Sequence, residues 1–178
     1  MTPDAFKTAT TDPTWLLAAV IDNKSLLIEA YATIANLNVT SLSLYSGPFD
    51  QQSGSWWAKT GKLFYSDRFA ADLGWFGTGD ADLKKMARRD AFKQHYAPYL
   101  KQAQTLLLPH HGSEHNFHPE LLTAIEPGLI LASAAPHGKW RHPGTAVVQA
   151  VASTGQPLWV VTEAEASRIV EFAELILP

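Results

Sequence analysis

An α/β domain with a sheet that is at least partly parallel is the fold class the sequence predicts. Three observations carry it. Strand-type and helix-type segments alternate in the C-terminal half: "TLLLP", a polar loop and "PELLTAIEP", then "GLILASA", a second loop and "GTAVVQAVASTG". Two successive strand–loop–helix units are the pattern of parallel pairing through crossover helices. The chain has 178 residues, 46% of them hydrophobic, a globular composition with enough length for a real core. No fixed-period repeat, low-complexity tract or clear linker divides it, so residues 14–178 are expected to form a single domain behind a loose polar arm at 1–13.

Element by element, "TWLLAAVIDNKSLLIEAYATIAN" places Trp15, Leu16, Ala19 and Val20, then Leu26, Leu27, Ala30, Tyr31 and Ile34, at helical spacing. The "DNKS" between them offers capping residues, so residues 14–37 read as one helix or two. "NVTSLSLYSG" alternates apolar Val39, Leu42 and Leu44 with Thr and Ser, and reads as a strand. "GPFDQQSGSWWAKTG" reads as a turn-rich connection, "KLFYSD" as a second strand and "LGWFGTGD" as a third. Residues 81–104 have the composition of a long helix, with Pro98 expected to kink or divide it. After the two strand–loop–helix units, "PLWVVTE" and "SRIVEFAELIL" read as closing strands.

Composition narrows the chemistry. With 14 basic and 17 acidic residues the net charge is −3, which supplies no bulk attraction to nucleic-acid backbones. There is no cysteine, so disulfides, thiolate zinc sites and cysteine catalysis are excluded. A metal would need His and carboxylate ligands, which suit zinc, manganese or iron. The N-terminal stretch lacks a signal-peptide pattern and no apolar run reaches a membrane-spanning length. A cytoplasmic setting without membrane insertion is the expectation.

Three strand ends carry polar chemistry, and ligands in α/β sheets bind outside the carboxyl ends of strands. The first is "GTGDAD", where small residues allow a sharp turn that leaves Asp80 at the strand tip; the plainer reading has Asp80 or Asp82 capping the next helix. The second is "PHHGS", where His110 and His111 follow an apolar strand and Gly112 permits a strained turn. In an extended segment these two side chains point opposite ways, so one is expected to face a ligand and the other to support it. Ser113 is a candidate cap or ligand contact, and His115 and His118 are expected at the loop surface or the helix start. The third is "APHGKWRHPG", where the pre-proline position holds His142 outside the following helix. His137 is a competing candidate, and Lys139 and Arg141 offer positive charge to an anionic substrate. One carboxylate and two imidazoles at a common sheet edge form a plausible hydrolytic metal site.

In this order, "TGD", "PHHGS" about 30 residues later and "HP" about 30 further on, with the strands around them, the chain over residues 38–178 resembles the metallo-β-lactamase superfamily. It is most similar to the metallohydrolase domain of competence-type DNA-uptake channel proteins. The resemblance implies an αββα sandwich with a mixed sheet and flanking helices. Zinc or manganese is the expected cofactor, and the resemblance matches Asp80, His110 or His111, and His142 to the family's ligands, about three in all, with the choice between His110 and His111 open. Under the hydrolase reading Asp80 and His111 are the catalytic candidates, and Ser113 and Arg141 are candidate contacts to the substrate, a phosphoester or related ester. The family's main ligand motif, His-x-His-x-Asp-His, is absent: the first histidine of the chain is His95. The chain is therefore expected to act as the C-terminal portion of such a hydrolase, with the apolar inner face of its sheet open to a protein partner or a second copy. Trp56, Trp57, Trp75, Phe64 and Phe76 are the candidates to cover that face. The alternatives are a non-catalytic binding or assembly module and a self-sufficient one-metal hydrolase.

Overall fold

The two central parallel strands, at 103–107 and 129–133, are buried along most of their length, and the reason is that both of their faces are covered. In the computed structural model, residues 13–25, 28–29, 41–47, 54–60, 63–70, 72–135 and 140–175 are described. The chain divides into two compact units, Met1–Thr40 and Ser41–Pro178. In the first, helix α1 spans Pro13–Asp22, with proline in the first turn, where its missing N–H is no loss. Asn23 forms a turn at the "DNKS" break. The arm at 1–12 and the helical expectation for 30–37 lie outside the described residues.

The second unit is α/β and holds a five-stranded mixed sheet in the order β1-β4-β5-β6-β7. These strands are β1 (Leu44–Ser46), β4 (Gly74–Gly77), β5 (Ala103–Leu107), β6 (Leu129–Ser133) and β7 (Leu158–Val161). β1 pairs antiparallel with β4, and β4, β5, β6 and β7 run parallel. Helices α2 (Met86–His95), α3 (Glu120–Ile125) and α4 (Thr145–Ala152) make the crossovers. Because consecutive strands are also spatial neighbours in one direction, crossovers of one hand put every helix on the same face. Phe92, Leu121, Ile125, Val147 and Val151 accordingly pack on Phe76, Leu106, Ile130 and Ala132 in one core. Each fully buried Val, Leu, Ile or Phe side chain among them contributes about 1.5–3 kcal/mol.

The opposite face is covered by a three-stranded antiparallel sheet, β3-β2-β8, of β2 (Gly54–Thr60), β3 (Leu63–Ala70) and β8 (Val170–Leu175). Trp56 and Ala58 of β2 meet Leu129 and Leu131 of β6 in a second core, with Leu107, Trp159 and Ile169 against it. The described residues of this unit thus form three layers: helices, large sheet, small sheet. The inner face expected to lie bare is covered from within the chain. Of the five aromatics proposed to cover it, Trp56 does so, while Phe76 belongs to the helix-side core. Trp57 stacks on Phe172 with ring centroids 5.6 Å apart, on the outer face of the small sheet, and Trp75 is half-buried in β4. The Phe64 side chain lies outside the described set.

Several sequence expectations are corrected. "GSWWAKT" is not a connection but β2, with Trp56 and Ala58 buried and Trp57 and Lys59 turned outward. The flanking Gly, Ser and Gln hide that two-residue alternation in the sequence. The helix expected over 81–104 is only Met86–His95. Ala81 and Leu83 precede it as buried non-helical residues, the chain leaves the helix before Pro98, and Ala103 and Gln104 already belong to β5. The residue before a proline disfavours helix, which explains the early stop. Neither Asp80 nor Asp82 caps α2, whose N-cap is Lys85 without a side-chain bond. Asp82 instead accepts from Arg88 at 2.7 Å and Lys85 at 3.3 Å. Of the strand expected at 38–47, only Leu44–Ser46 is strand, and 38–40 lie outside the described residues.

Candidate metal centre

Asp80, His110, His111 and His142 sit at the carboxyl rim of the parallel sheet, where loops from β4, β5 and β6 meet. After β4, the fully buried Thr78 donates its hydroxyl to the Leu107 carbonyl at 2.7 Å, tying the β4 tip to β5. Gly79 follows at φ +53°, and a Cβ there would fall 2.6 Å from both the Leu42 carbonyl oxygen and Ser41 Oγ. No other residue fits both the backbone and the space. The Asp80 amide donates to Ser41 Oγ at 2.7 Å, and its carboxylate is half exposed.

After β5, Pro109–Gly112 form a tight turn in which His110 (φ 46°, ψ 53°) and His111 (φ 61°, ψ 16°) are both left-handed, followed by Gly112 at φ +82°. A non-glycine residue in this region is uncommon and costs about 1–2 kcal/mol; two in succession require external support. It comes from three backbone bonds: His110 N–H to Gly79 at 2.8 Å, Ser113 N–H to His110 at 2.9 Å and Gly144 N–H to Gly112 at 3.0 Å. The first joins the His turn to the Asp80 loop and the third joins it to the His142 loop.

This geometry corrects the expectation that His110 and His111 diverge. An extended segment would alternate them, but consecutive left-handed residues do not. His110 Nδ1 and His111 Nε2 both lie 3.9 Å from Asp80 Oδ1. His142 closes the group, its ring centroid 6.1 Å from that of His110 and 6.4 Å from that of His111. Burial, then the neighbouring His110, His111 and His115, lower the His142 pKa against the opposing pull of Glu114.

Protonation roles follow from partners. His111 Nδ1 lies 2.6 Å from the Ser133 carbonyl oxygen, which can only accept, so Nδ1 carries the hydrogen. In the neutral ring Nε2 then keeps its lone pair on the Asp80 side. That arrangement, one ring nitrogen donating to a carbonyl and the other free, is how metal-binding histidines are commonly oriented. His110 Nδ1 and His142 Nδ1 are buried and have no hydrogen-bond partner. Buried polar atoms are rarely left so. A third such atom, Asp82 Oδ1, belongs to the ion pairs beside α2.

In donor chemistry the set suits zinc or manganese: one carboxylate oxygen and up to three imidazole nitrogens. In distance it is open. Two atoms on one tetrahedral zinc lie about 3.4 Å apart, from bond lengths of about 2.0–2.2 Å, against 3.9 Å here. Among the described residues no group of three or more His, Asp or Glu side chains is placed to hold a metal ion as it stands.

The remaining expected site residues are dispersed. Ser113 is buried, 3% exposed, and its Oγ accepts the His115 amide at 3.2 Å, serving the turn. Arg141 is exposed beside His142. His115 is exposed, and His118 Nδ1 accepts the Glu120 amide at 3.2 Å at the start of α3. His137 and Lys139 lie outside the described residues.

Two features were missed from sequence. Glu114 reaches across 32 residues in sequence, and its Oε1 accepts the Ala146 amide in the first turn of α4 at 2.7 Å. It thereby caps the helix that follows His142. No local sequence signal marks a cap donated from another loop. The second is a crevice of about 410 Å³ beside His111 and His142, which Trp140 and Glu163 also line. An exposed tryptophan next to a candidate ligand was the available signal. A larger, open hollow of about 790 Å³ near Lys59, Arg168 and Phe172 lies on the small sheet and is lined by none of the site histidines.

Comparison with protein-family models, curated proteins and solved structures finds no match to this chain. Among the described residues no helix is long and apolar enough to cross a membrane.

Proposed function

We propose that the unit Ser41–Pro178 contributes part of the active site of a metal-dependent hydrolase of the metallo-β-lactamase type, acting on phosphoester or related ester substrates. The single observation behind this reading is the convergence of Asp80, His110, His111 and His142 from three loops at one sheet rim, with the His111 tautomer set by Ser133. Such a layered α/β unit with its polar groups at one rim is compatible with the sandwich that the sequence resembles.

Asp80, His110, His111 and His142 would hold the ion, which would supply Lewis acidity toward an ester or phosphoryl oxygen and a more acidic water. Asp80 supplies negative charge at the rim and can accept a proton. Ser133 orients His111, and Glu114 anchors the segment that carries His142. Four donors at most, at separations wider than a closed site, fall short of a two-metal clamp. The proposal therefore includes completion by a protein segment bearing the missing His-x-His-x-Asp-His ligands, from another chain or another copy.

The test is calorimetric titration with Zn²⁺ and Mn²⁺, with Asp80→Asn as control, followed by assay on bis(4-nitrophenyl) phosphate with and without a complementing chain. Metal uptake that depends on Asp80, and turnover that appears on complementation, support the reading. The second reading is a non-catalytic binding or assembly module. It is favoured by the absence, among the described residues, of three donors placed to hold an ion. Equal metal binding by parent and Asp80→Asn would select it.

A further inference from the structure

Strand β8 bounds the small sheet. The strand order is β3-β2-β8, so β8 pairs with β2 along one side and its other side is an edge. That edge is open to solvent: Val170 is 41% exposed and Phe172 50%, and Arg168, Ala173 and Glu174 are exposed as well. Alongside it lies the open hollow of about 790 Å³ that Lys59, Arg168, Val170 and Phe172 line. An exposed edge strand presents a row of N–H and C=O groups that another chain can pair with, and edges are usually blunted by proline or lysine. β8, VEFAEL, contains neither.

The sequence of this edge is complementary to itself. When residues 168–174, RIVEFAE, are laid antiparallel against a second copy about Glu171, Arg168 falls opposite Glu174 and Val170 opposite Phe172, and two-fold symmetry makes each pair occur twice. Arg168, Val170 and Phe172 line one hollow and so share the outer face of the sheet, where Trp57 stacks on Phe172; Glu174 follows them by strand alternation. Glu171, at the centre, turns the other way. Its Oε2 accepts from Thr105 Oγ1 at 2.6 Å and from Trp56 Nε1 at 3.3 Å, between the two sheets. A register centred on one residue also maps the outward-pointing N–H and C=O groups of β8 onto themselves, so the bonds of an antiparallel ladder can form. A shift by two residues either way sets Glu174 against Ala166 or Val170 and loses the charge match.

We propose that a second copy of this chain docks on β8, antiparallel and about a two-fold axis at Glu171, joining the two small sheets into one of six strands. Each copy then sets its Val170 and Phe172 against the apolar side chains of the other. The edge is short, so the contact falls at the low end of interface sizes and the dimer is weak, with Kd on the order of 10–100 µM. Asp80 and the three histidines at the rim take no part, so this inference stands apart from the hydrolytic reading.

The test is sedimentation velocity on the full chain between about 5 and 500 µM, with circular dichroism to verify that each variant is folded. The parent should pass from monomer to dimer over that range. Arg168→Glu and Glu174→Arg each set like charges opposite one another, and each should weaken the dimer by at least about fivefold. An equimolar mixture of these two variants should restore it, because the mixed dimer alone carries an opposite-charge pair at both positions. The double variant Arg168→Glu/Glu174→Arg should dimerise as the parent does, and so should Asp80→Asn. A parent that stays monomeric at about 500 µM, a dimer indifferent to both charge reversals, or a mixture that associates no better than either variant alone would overturn the proposal.

Discussion

His111 donates its Nδ1–H to the carbonyl oxygen of Ser133 at 2.6 Å, and this one bond decides which nitrogen faces Asp80. The partner is the backbone of the β6 tip, so the orientation of a β5-loop side chain is referred to the neighbouring strand. Nitrogen-15 NMR at neutral pH should show His111 as the Nδ1–H tautomer, with the Nε2 signal moving on zinc addition. His111→Ala should weaken metal binding by at least about tenfold, whereas Ser133→Ala should leave it unchanged because the side chain takes no part. An Nε2–H tautomer for His111 would contradict the arrangement.

Asp80 lies 3.9 Å from the facing nitrogens of two histidines and is half exposed, so its removal should separate binding from folding. Asp80→Asn is expected to lower zinc affinity by at least about a hundredfold, beyond the effect usual for outer partners. Its unfolding free energy should stay within about 0.5 kcal/mol of the parent, as for most exposed substitutions. Urea melts and calorimetry on the same sample check both halves.

Gly79 is required by both conformation and space. At φ +53°, with the Leu42 carbonyl oxygen and Ser41 Oγ each 2.6 Å from where a Cβ would stand, Gly79→Ala should lose about 1–2 kcal/mol from backbone strain alone. The displaced loop should also break the His110 N–H to Gly79 bond, 2.8 Å in the parent. Faster amide exchange at His110 is the expected signature, and unchanged exchange would argue against the coupling of the two loops.

Glu114 caps α4 from outside the helix, accepting the Ala146 amide at 2.7 Å. Glu114→Ala should cost about 0.5–2 kcal/mol and weaken metal binding through His142. Glu114→Gln keeps an accepting oxygen and should restore most of both. Gly144→Ala offers an independent route to the same loss, since a Cβ there would sit 2.2 Å from Glu114 Cγ. If the alanine and glutamine variants behaved alike, the cap would not be the operative contact.

Glu171 ties the two sheets: its Oε2 accepts from Thr105 Oγ1 of β5 at 2.6 Å and from Trp56 Nε1 of β2 at 3.3 Å. Burial raises its pKa, with those two hydrogen bonds opposing the rise. The folded protein therefore prefers the protonated acid. Its favourable contribution is complete below the ordinary value of 4.5 and is lost as pH rises through the folded value. Glu171→Gln should be more stable than the parent at pH 8 by urea denaturation, and the difference should shrink as pH falls toward 5. A difference independent of pH would show that the carboxyl charge is not the cause.

The strand–loop–helix order of residues 103–152 was legible because each parallel strand, covered on both faces, must be a short apolar run, and each crossover must return over the same sheet. The three polar strand ends were legible for the same reason: a parallel sheet collects its ligand groups at one rim. β2 was not, because Trp56 and Ala58 reveal their alternation only once β6 is known to lie beneath them. The helix at 86–95 was overextended because composition alone could not show that Ala103 and Gln104 pair with their neighbours in a sheet.

By itself the sequence determined the residue types available to a site, a carboxylate and several imidazoles with no thiol, and the order in which strands would deliver them. Only the tertiary structure decided that both His110 and His111 face Asp80. Their left-handed backbone is unfavourable locally and is held by backbone hydrogen bonds to Gly79 and Gly144, residues on two other loops. Contacts so distant in sequence leave no local mark, whereas the apolar runs that build the sheet are local by nature.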